Sequence, residues 1–207
     1  MDGLLIESHF LPCLEYFSIL LTHEPVVIEA HEHYVKQSYR NRCHILAAHG
    51  TERLTVPLTA KRGKVSITSV QIDNGYRWQA NSWRTLQSAY ANSPYFEHYK
   101  DDLQRELFSG EKYLVDLNLR LLSMCLTWLT WKKTTTQSQQ YQPTTSLRDL
   151  RNVISAKSDF TTRPFFQPLP YQQVFGKAFV PNLSILDLVF CVGPEAGRII
   201  QGSTRGN

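Results

Sequence analysis

Two short apolar runs near the start of the chain enclose a longer apolar segment, and this order constrains the fold most. Residues 4–6 and 25–29 are rich in leucine, isoleucine and valine, which is typical of short buried strands. The segment between them, residues 11–21, has the length of a helix, and Pro12 suits a helical first turn. We therefore expect the chain to open with a strand, a helix and a second strand.

The rest of the chain divides into a strand-rich part and a helix-rich part. Residues 43–47 and 54–58 predict a hairpin, and the alternation in residues 64–72 predicts one further strand with a bulge. After the turn residues 73–75, apolar side chains recur at helical spacing. The predicted helices cover residues 83–90, 96–107, 112–131 and 183–190. The fold class is thus α/β or α+β, with a strand-rich N-terminal third, a helix-rich middle and a C-terminal helix.

The whole chain, residues 1–207, is expected to form a single domain. Its 207 residues suit one hydrophobic core, and a hydrophobic content of 42% places it outside the disordered class. Residues 134–145 are rich in threonine and glutamine and include Pro143. Because this segment has little apolar surface to bury, we expect it to be a surface loop or linker.

The net charge of the chain and the motifs that it lacks limit the kinds of ligand that we expect it to bind. The net charge of +4 favours anionic ligands, but the chain has no recognised nucleic-acid-binding pattern. We therefore expect a phosphate-bearing small molecule, and no specific nucleic acid. Common nucleotide and hydrolase signatures are also absent.

The location is expected to be cytoplasmic. The four cysteines are widely separated, as in reduced core thiols, and the N-terminus has no basic segment typical of a signal peptide. The apolar residues 117–131 are too few to span a bilayer. The oligomeric state is not readable from the sequence.

One short segment carries the sharpest candidate chemistry. In a continuous strand, the side chains of Glu29, His31 and His33 would lie on one face. Together they could form a metal site, or an acid/base group in which a histidine is the general base. Alternatively, the strand ends at Glu29 and the histidines lie on a polar loop. We expect no tightly held metal and no cofactor, because Glu32 and the cations that follow indicate an early end to the strand.

The next segment, residues 34–42, concentrates cations among amides and tyrosines. Lys36, Arg40 and Arg42, with Asn41 between the arginines, are the candidate anion-binding residues, because guanidinium groups suit phosphate and carboxylate. A solvated surface segment held in ion pairs is the alternative. If the first interpretation holds, these cations and the histidines converge at one concave site.

Other residues are candidates for an additional pocket. Glu7 and His9 follow the first predicted strand, where open α/β sheets often carry ligand sites. Trp78 and Tyr95 belong to an aromatic group that would line a sugar or base pocket, or else the core. Asp187 is a charge among apolar residues and is expected to be paired, to cap a backbone group, or to face outward from a helix.

Several segments resemble the WbqC-like family in order and approximate spacing. They are HFLP at 9–12, EYF at 15–17, residues 34–42, LTVP at 54–57, ID at 72–73 with Trp78, AY at 89–90, PYF at 94–96 and LSILDL at 183–188. The most specific are residues 40–42 and 183–188. The chain departs from the family pattern at Glu7-Ser8, where the family has Gln-Pro, and it is shortened after Thr134.

The resemblance implies a role in bacterial surface-polysaccharide or O-antigen biosynthesis, without defining a reaction. Together with the cations, it predicts an enzyme of transferase type acting on a phosphate-bearing metabolite such as a nucleotide sugar or an acyl donor. The alternative is a noncatalytic binding or assembly protein that recognises an acidic partner through the same cations.

Overall fold

The computed structural model describes residues 2–59 and 63–205, and every structural statement below refers to these. Six strands and six α-helices lie along this part of the chain. In chain order they are β1 (Leu4–Glu7), α1 (Leu14–Thr22), β2 (Val26–Glu29), β3 (Arg42–Ala47), β4 (Gly50–Thr55), α2 (Trp78–Tyr90), α3 (Phe96–Leu107), α4 (Leu114–Trp128), β5 (Thr135–Gln137), β6 (Arg148–Asp149), α5 (Ile185–Val192) and α6 (Ala196–Ser203). Strands predominate in the first third and helices afterwards, which confirms the predicted single mixed domain.

The central sheet has four parallel strands in the order β5-β2-β1-β6. All four residues of β1 are buried, which explains why its sequence is an apolar run without alternation. The helix α1 connects β1 to β2, as the opening of the sequence predicts. The register pairs Glu7 with Glu29 at the ends of these strands. Because the strands are parallel, their carboxyl ends form one edge of the sheet.

Strands β3 and β4 form a hairpin, as predicted, with Arg42 opposite Thr55 and Ala47 opposite Gly50. The second strand begins at Gly50 and not at residue 54 as predicted, so the connection between the strands is shorter. Gly50 has a φ of 110°, a conformation that glycine adopts without a steric penalty. The hairpin is tied to the C-terminal helices, because Ser184 N donates to His44 O at 2.8 Å. Its first residue, Arg42, is the last residue of the predicted anion-binding segment.

The prediction of a strand at residues 64–72 is wrong. This segment contains a 3-10 turn, Ile67–Ser69, flanked by single bridges from Ser66 to His33 and from Gln71 to Tyr113. Ile67 and Val70 are both buried, and a spacing of three residues suits one face of a 3-10 turn. The apparent alternation therefore comes from a turn that packs against the core.

The helices follow the predicted apolar spacing closely. The buried residues of α3 are Phe96, Tyr99, Leu103 and Leu107, and α5 is capped by the Ser184 hydroxyl, which accepts from Leu186 N at 3.4 Å. Gly193 ends α5, and a Cβ at this position would lie 2.5 Å from the Tyr95 ring. Within residues 2–59 and 63–205, the helices are too short or too polar to cross a bilayer.

Three elements were not predicted from the sequence, namely α6, β5 and the two-residue strand β6. The helix α6 follows Gly193, and it buries Ala196, Ile200 and Ser203. The strand β5 lies at the start of the segment predicted as a loop, residues 134–145, and pairs with β2 at the edge of the sheet. The remainder of that segment forms no helix or strand and is largely exposed.

Candidate functional site

A cavity of about 370 Å³ lies between the segment that precedes β3 and the chain that follows β4. Lys36 and Arg42 line it, and the described lining residues include no aspartate or glutamate. Val56, Leu58 and Val65 contribute an apolar part of the wall. We call it the cationic cavity, and its lining residues are Tyr34, Lys36, Gln37, Asn41, Arg42, Thr55, Val56, Pro57, Leu58, Thr59, Gly63, Val65 and Val70.

The two cations of this cavity lack acidic partners. Over the described ranges, neither Lys36 nor Arg42 forms a salt bridge, and Arg42 Nε is buried without a hydrogen-bond partner. The cavity therefore contains two positive charges without counter-charges in its described lining, which suits an anionic group.

A second cavity, of about 540 Å³, lies at the carboxyl end of β6. Its polar lining residues include Glu32, His33, Asp149, Arg151 and Asn152, and the exposed aromatic ring of Tyr141 also lines it. We call it the strand-end cavity, and its lining residues are Glu32, His33, Val35, Tyr141, Pro143, Asp149, Arg151 and Asn152. Open α/β sheets commonly bind ligands at this edge.

The segment 32–37 forms a wall between the two cavities. Tyr34, Lys36 and Gln37 line the cationic cavity, whereas His33 and Val35 line the strand-end cavity. The wall is fixed by backbone hydrogen bonds, because Tyr34 N donates to Val65 O at 2.8 Å and Ile67 N donates to Glu32 O at 2.9 Å. Gln37 has a φ of 57°, an unfavourable conformation for this residue type.

Arg40 lies beneath the strand-end cavity and not in the cationic cavity. Its side chain is 2% exposed and forms a bidentate pair with Glu32, with Nε donating to Oε1 at 2.7 Å and Nη2 to Oε2 at 2.5 Å. Nη2 also donates to Asn152 Oδ1 at 2.8 Å, and Nη1 lies 3.9 Å from Glu7 Oε1. These contacts separate Arg40 from Lys36 and Arg42, and they position two residues of the strand-end cavity.

Glu7 and His9 belong to the same buried network. His9 Nε2 lies 3.2 Å from Glu7 Oε1, and Asn152 N donates to Glu7 Oε2 at 3.0 Å. Burial acts to raise the pKa of Glu7, but the hydrogen bond from His9 and the charges of His9 and Arg40 outweigh it and lower that pKa. Glu32 differs, because burial raises its pKa despite the contact with Arg40. The network holds the ends of β1 and β6 together.

Glu29 is fully buried at the end of β2, and its carboxylate is satisfied by three donors. Oε1 accepts from His31 N at 2.8 Å and from Ser138 Oγ at 2.6 Å, while Oε2 accepts from Arg151 Nη1 at 2.9 Å. A third cavity, of about 510 Å³, touches Glu29 and residues 136–140. The contacts of Glu29 tie β2 to the chain following β5 and β6.

The predicted cluster of Glu29, His31 and His33 does not share a strand face. The strand β2 ends at Glu29, and both histidines lie on the loop that follows with exposed side chains. His33 lines the strand-end cavity, whereas Lys36, Asn41 and Arg42 line the cationic cavity. The structure therefore places these candidates on two sides of one wall. Within residues 2–59 and 63–205, it brings together no group of three His, Cys, Asp or Glu side chains suited to a metal.

The remaining candidates occupy separate places. Trp78 is in the core, with its ring edge toward Phe10 at a centroid distance of 6.4 Å, and Nε1 donates to Asn74 Oδ1 at 3.2 Å. Tyr95 packs against Gly193. These two residues thus support the helical core.

Asp187 is a fully buried carboxylate with three donors. Tyr90 and Tyr171 donate from their hydroxyls at 2.8 and 2.6 Å, and Gln173 Nε2 donates at 2.8 Å. Burial raises the pKa of Asp187, and these hydrogen bonds act in the opposite direction. The contacts attach the irregular segment after residue 170 to α5 and α2. Of the three alternatives left open by the sequence, Asp187 is hydrogen-bonded in the interior and does not face outward from its helix.

Most of the strand-end cavity was not predicted from the sequence. Asp149 is the last residue of β6, and Arg151 and Asn152 follow it. A strand of two residues is too short to recognise by alternation. Tyr141 lies in the segment predicted as a linker. A usable signal was the sequence Asp149-Leu150-Arg151-Asn152 itself, where charged and amide side chains flank a single apolar residue.

Fold and cavities define a single-domain α/β protein with a buried charged network at the carboxyl edge of a parallel sheet. The chain belongs to the WbqC-like protein family, whose model matches residues 7–168 and 159–199. It is also 27% identical over 220 residues to "Uncharacterized protein Rv1507c" of Mycobacterium tuberculosis, with 93% of this chain and 94% of that protein covered. No solved structure matches the chain significantly.

Proposed function

We propose that this protein is a transferase that binds a phosphate-bearing metabolite, such as a nucleotide sugar or an acyl donor, in the cationic cavity. The observation that carries this proposal is the presence of Lys36 and Arg42, without acidic partners, in one cavity whose described lining has no carboxylate. A volume of about 370 Å³ lies within the range of roughly 300–1,000 Å³ typical of small-molecule sites.

The two cations would bind the phosphate groups, and the apolar wall would contact the rest of the ligand. Arg42 presents a planar guanidinium for bidentate contact, whereas Lys36 supplies a mobile point charge. Tyr34, Thr55 and Thr59 add hydroxyl groups to the lining. This combination suits a ligand with an anionic end and an apolar or aromatic part.

His33 is the candidate general base of the proposed reaction. It is exposed and lines the strand-end cavity, on the opposite side of the wall that carries Lys36. His31 is exposed as well, and Glu29 has its carboxylate engaged by three donors. A role in the cytoplasmic steps of bacterial surface-polysaccharide synthesis completes the proposal, and family membership is what supports it.

Thermal unfolding in the presence of candidate donors tests the proposal. A ligand that binds only the folded state raises the melting temperature by mass action. We expect at least one of UDP-, GDP- and dTDP-linked sugars or acetyl coenzyme A to do so. The rise should disappear in Lys36→Ala and Arg42→Ala and persist in Arg53→Ala, since Arg53 is exposed on β4 outside the cationic cavity.

The result that contradicts the proposal is the absence of any rise across this panel, or an equal rise in all four proteins. In that case the same cations would serve a noncatalytic assembly protein that contacts an acidic partner.

A further inference from the structure

The strand-end cavity combines an exposed aromatic ring with a set of already paired charges. Tyr141 is 52% exposed, and the Arg151 guanidinium carbon lies 4.9 Å from its ring centroid. A cation stacked on one face of the ring orients it and leaves the other face available. Val35 and Pro143 add apolar surface beside it.

Each carboxylate that lines this cavity is paired with an arginine. Glu32 is paired with Arg40 at 2.5 Å, and Asp149 is paired with Arg151 at 2.6 Å. Asp149 Oδ1 also accepts from Arg151 N at 3.1 Å and from Arg151 Nε at 2.9 Å. The side chains therefore present hydrogen-bonding groups that their ion pairs hold in fixed positions.

The polar floor is rigid because the buried network holds it from below. Asn152 has a φ of 62°, its backbone N donates to Glu7, and its side-chain oxygen accepts from Arg40. A non-glycine residue held at positive φ by surrounding contacts is a feature found at ligand sites. Such a preorganised set of donors and acceptors suits a ligand with several hydroxyl groups.

We infer that the strand-end cavity binds an uncharged saccharide, with one face of the sugar ring on Tyr141 and its hydroxyls at Asp149, Asn152 and Glu32. The volume of about 540 Å³ is sufficient for a small-molecule ligand of this kind. Binding of the saccharide does not depend on the cationic cavity. The further idea that the saccharide is the second substrate of a transferase rests on the proposed function. It is suggested by the wall 32–37, which the two cavities share.

Saturation-transfer difference NMR tests the inference directly. The probes are D-glucose, D-galactose, L-rhamnose and N-acetyl-D-glucosamine, each added to the full chain without any phosphate compound. We expect at least one of them to receive saturation, strongest at the protons of one sugar face. The dissociation constant should rise at least about tenfold in Tyr141→Ala and stay within about twofold in Tyr141→Phe, because the ring and not its hydroxyl makes the contact.

Matched controls separate this site from the fold and from the cationic cavity. Tyr76→Ala, which removes a ring that is 67% exposed outside this cavity, should bind as the wild type does. The double variant Lys36→Ala/Arg42→Ala should also retain saccharide binding. This result would support the inference even if the proposed function fails.

Three results would overturn the inference. They are the absence of saturation for every saccharide, equal binding by Tyr141→Ala, and binding of putrescine in place of the saccharides. The last would show a site for a cation. Equal melting temperatures of the wild type and Tyr141→Ala would show that any loss of binding does not come from misfolding.

Discussion

Arg40 is buried beneath the strand-end cavity and forms a bidentate pair with Glu32, which lines that cavity. The middle cation of the segment 36–42 is thus an internal positioning residue, while Lys36 and Arg42 on either side face the cationic cavity. One short segment therefore serves both the packing of the sheet edge and the candidate anion site.

Removing Arg40 should destabilise the fold strongly. Arg40→Met keeps most of the side-chain length but leaves the Glu32 carboxylate buried without its partner. Loss of one member of a buried pair costs about 3–5 kcal/mol, and urea unfolding will measure the change. The matched control, Arg84→Ala on the exposed face of α2, should have little effect. An unfolding free energy for Arg40→Met within about 1 kcal/mol of the wild type would contradict this account.

The double variant Glu32→Gln/Arg40→Met should recover part of the lost stability, because it removes the unpaired charge as well. A double variant less stable than Arg40→Met would show that Glu32 has a stabilising role independent of Arg40.

Glu7 should make stability sensitive to acid. Its pKa in the folded protein is lowered below the ordinary value of 4.5. Glu7 therefore stabilises the fold fully above its unfolded pKa, and this stabilisation is lost as the pH falls through the lower folded pKa. Between about pH 5 and pH 3 the wild type should lose more stability than Glu7→Gln, as followed by urea unfolding at each pH. Parallel pH profiles for the two proteins would be incompatible with the proposed contacts of His9 and Arg40.

Asp187 should control the attachment of the segment around residues 171–180. Asp187→Asn replaces one acceptor oxygen by an NH₂ group, so either Tyr90 or the pair Tyr171 and Gln173 loses its acceptor. We expect a loss of about 1–3 kcal/mol in unfolding free energy and faster hydrogen exchange at Val180 N, which donates to Gln173 Oε1. Asp101→Asn, at an exposed position of α3, is the control. Unchanged hydrogen exchange at Val180 N would show that Asp187 does not hold this segment in place.

The sequence predicted the elements that periodicity and local signals define. The run of β1, the spacing in α3 and the cap and glycine around α5 are all local properties of the chain. The strands β5 and β6 were not predicted, because strands of three and two residues exist only through pairing with β2 and β1. Their partners lie over 100 residues away, beyond the reach of local propensity.

The candidate site was predictable only in part, for the same reason. The cation-rich segment was visible, and Lys36, Asn41 and Arg42 do line one cavity. The inward orientation of Arg40 depends on Glu32 and on Asn152, which is 112 residues further along. The strand-end cavity likewise requires Tyr141 and Asp149 to come against the segment after β2, and spacing in the sequence gives no sign of that approach.

Isothermal titration calorimetry of the cationic cavity tests the central claim most directly. The compound from the donor panel that raises the melting temperature most is titrated into the wild type, Lys36→Ala, Arg42→Ala and Arg53→Ala. We predict that each cavity variant weakens binding at least about tenfold, equivalent to about 1.4 kcal/mol. Arg53→Ala should bind the compound with the same affinity as the wild type. Added salt should weaken binding by the wild type and by Arg53→Ala. Equal affinity in all four proteins would contradict the claim that Lys36 and Arg42 hold the phosphate.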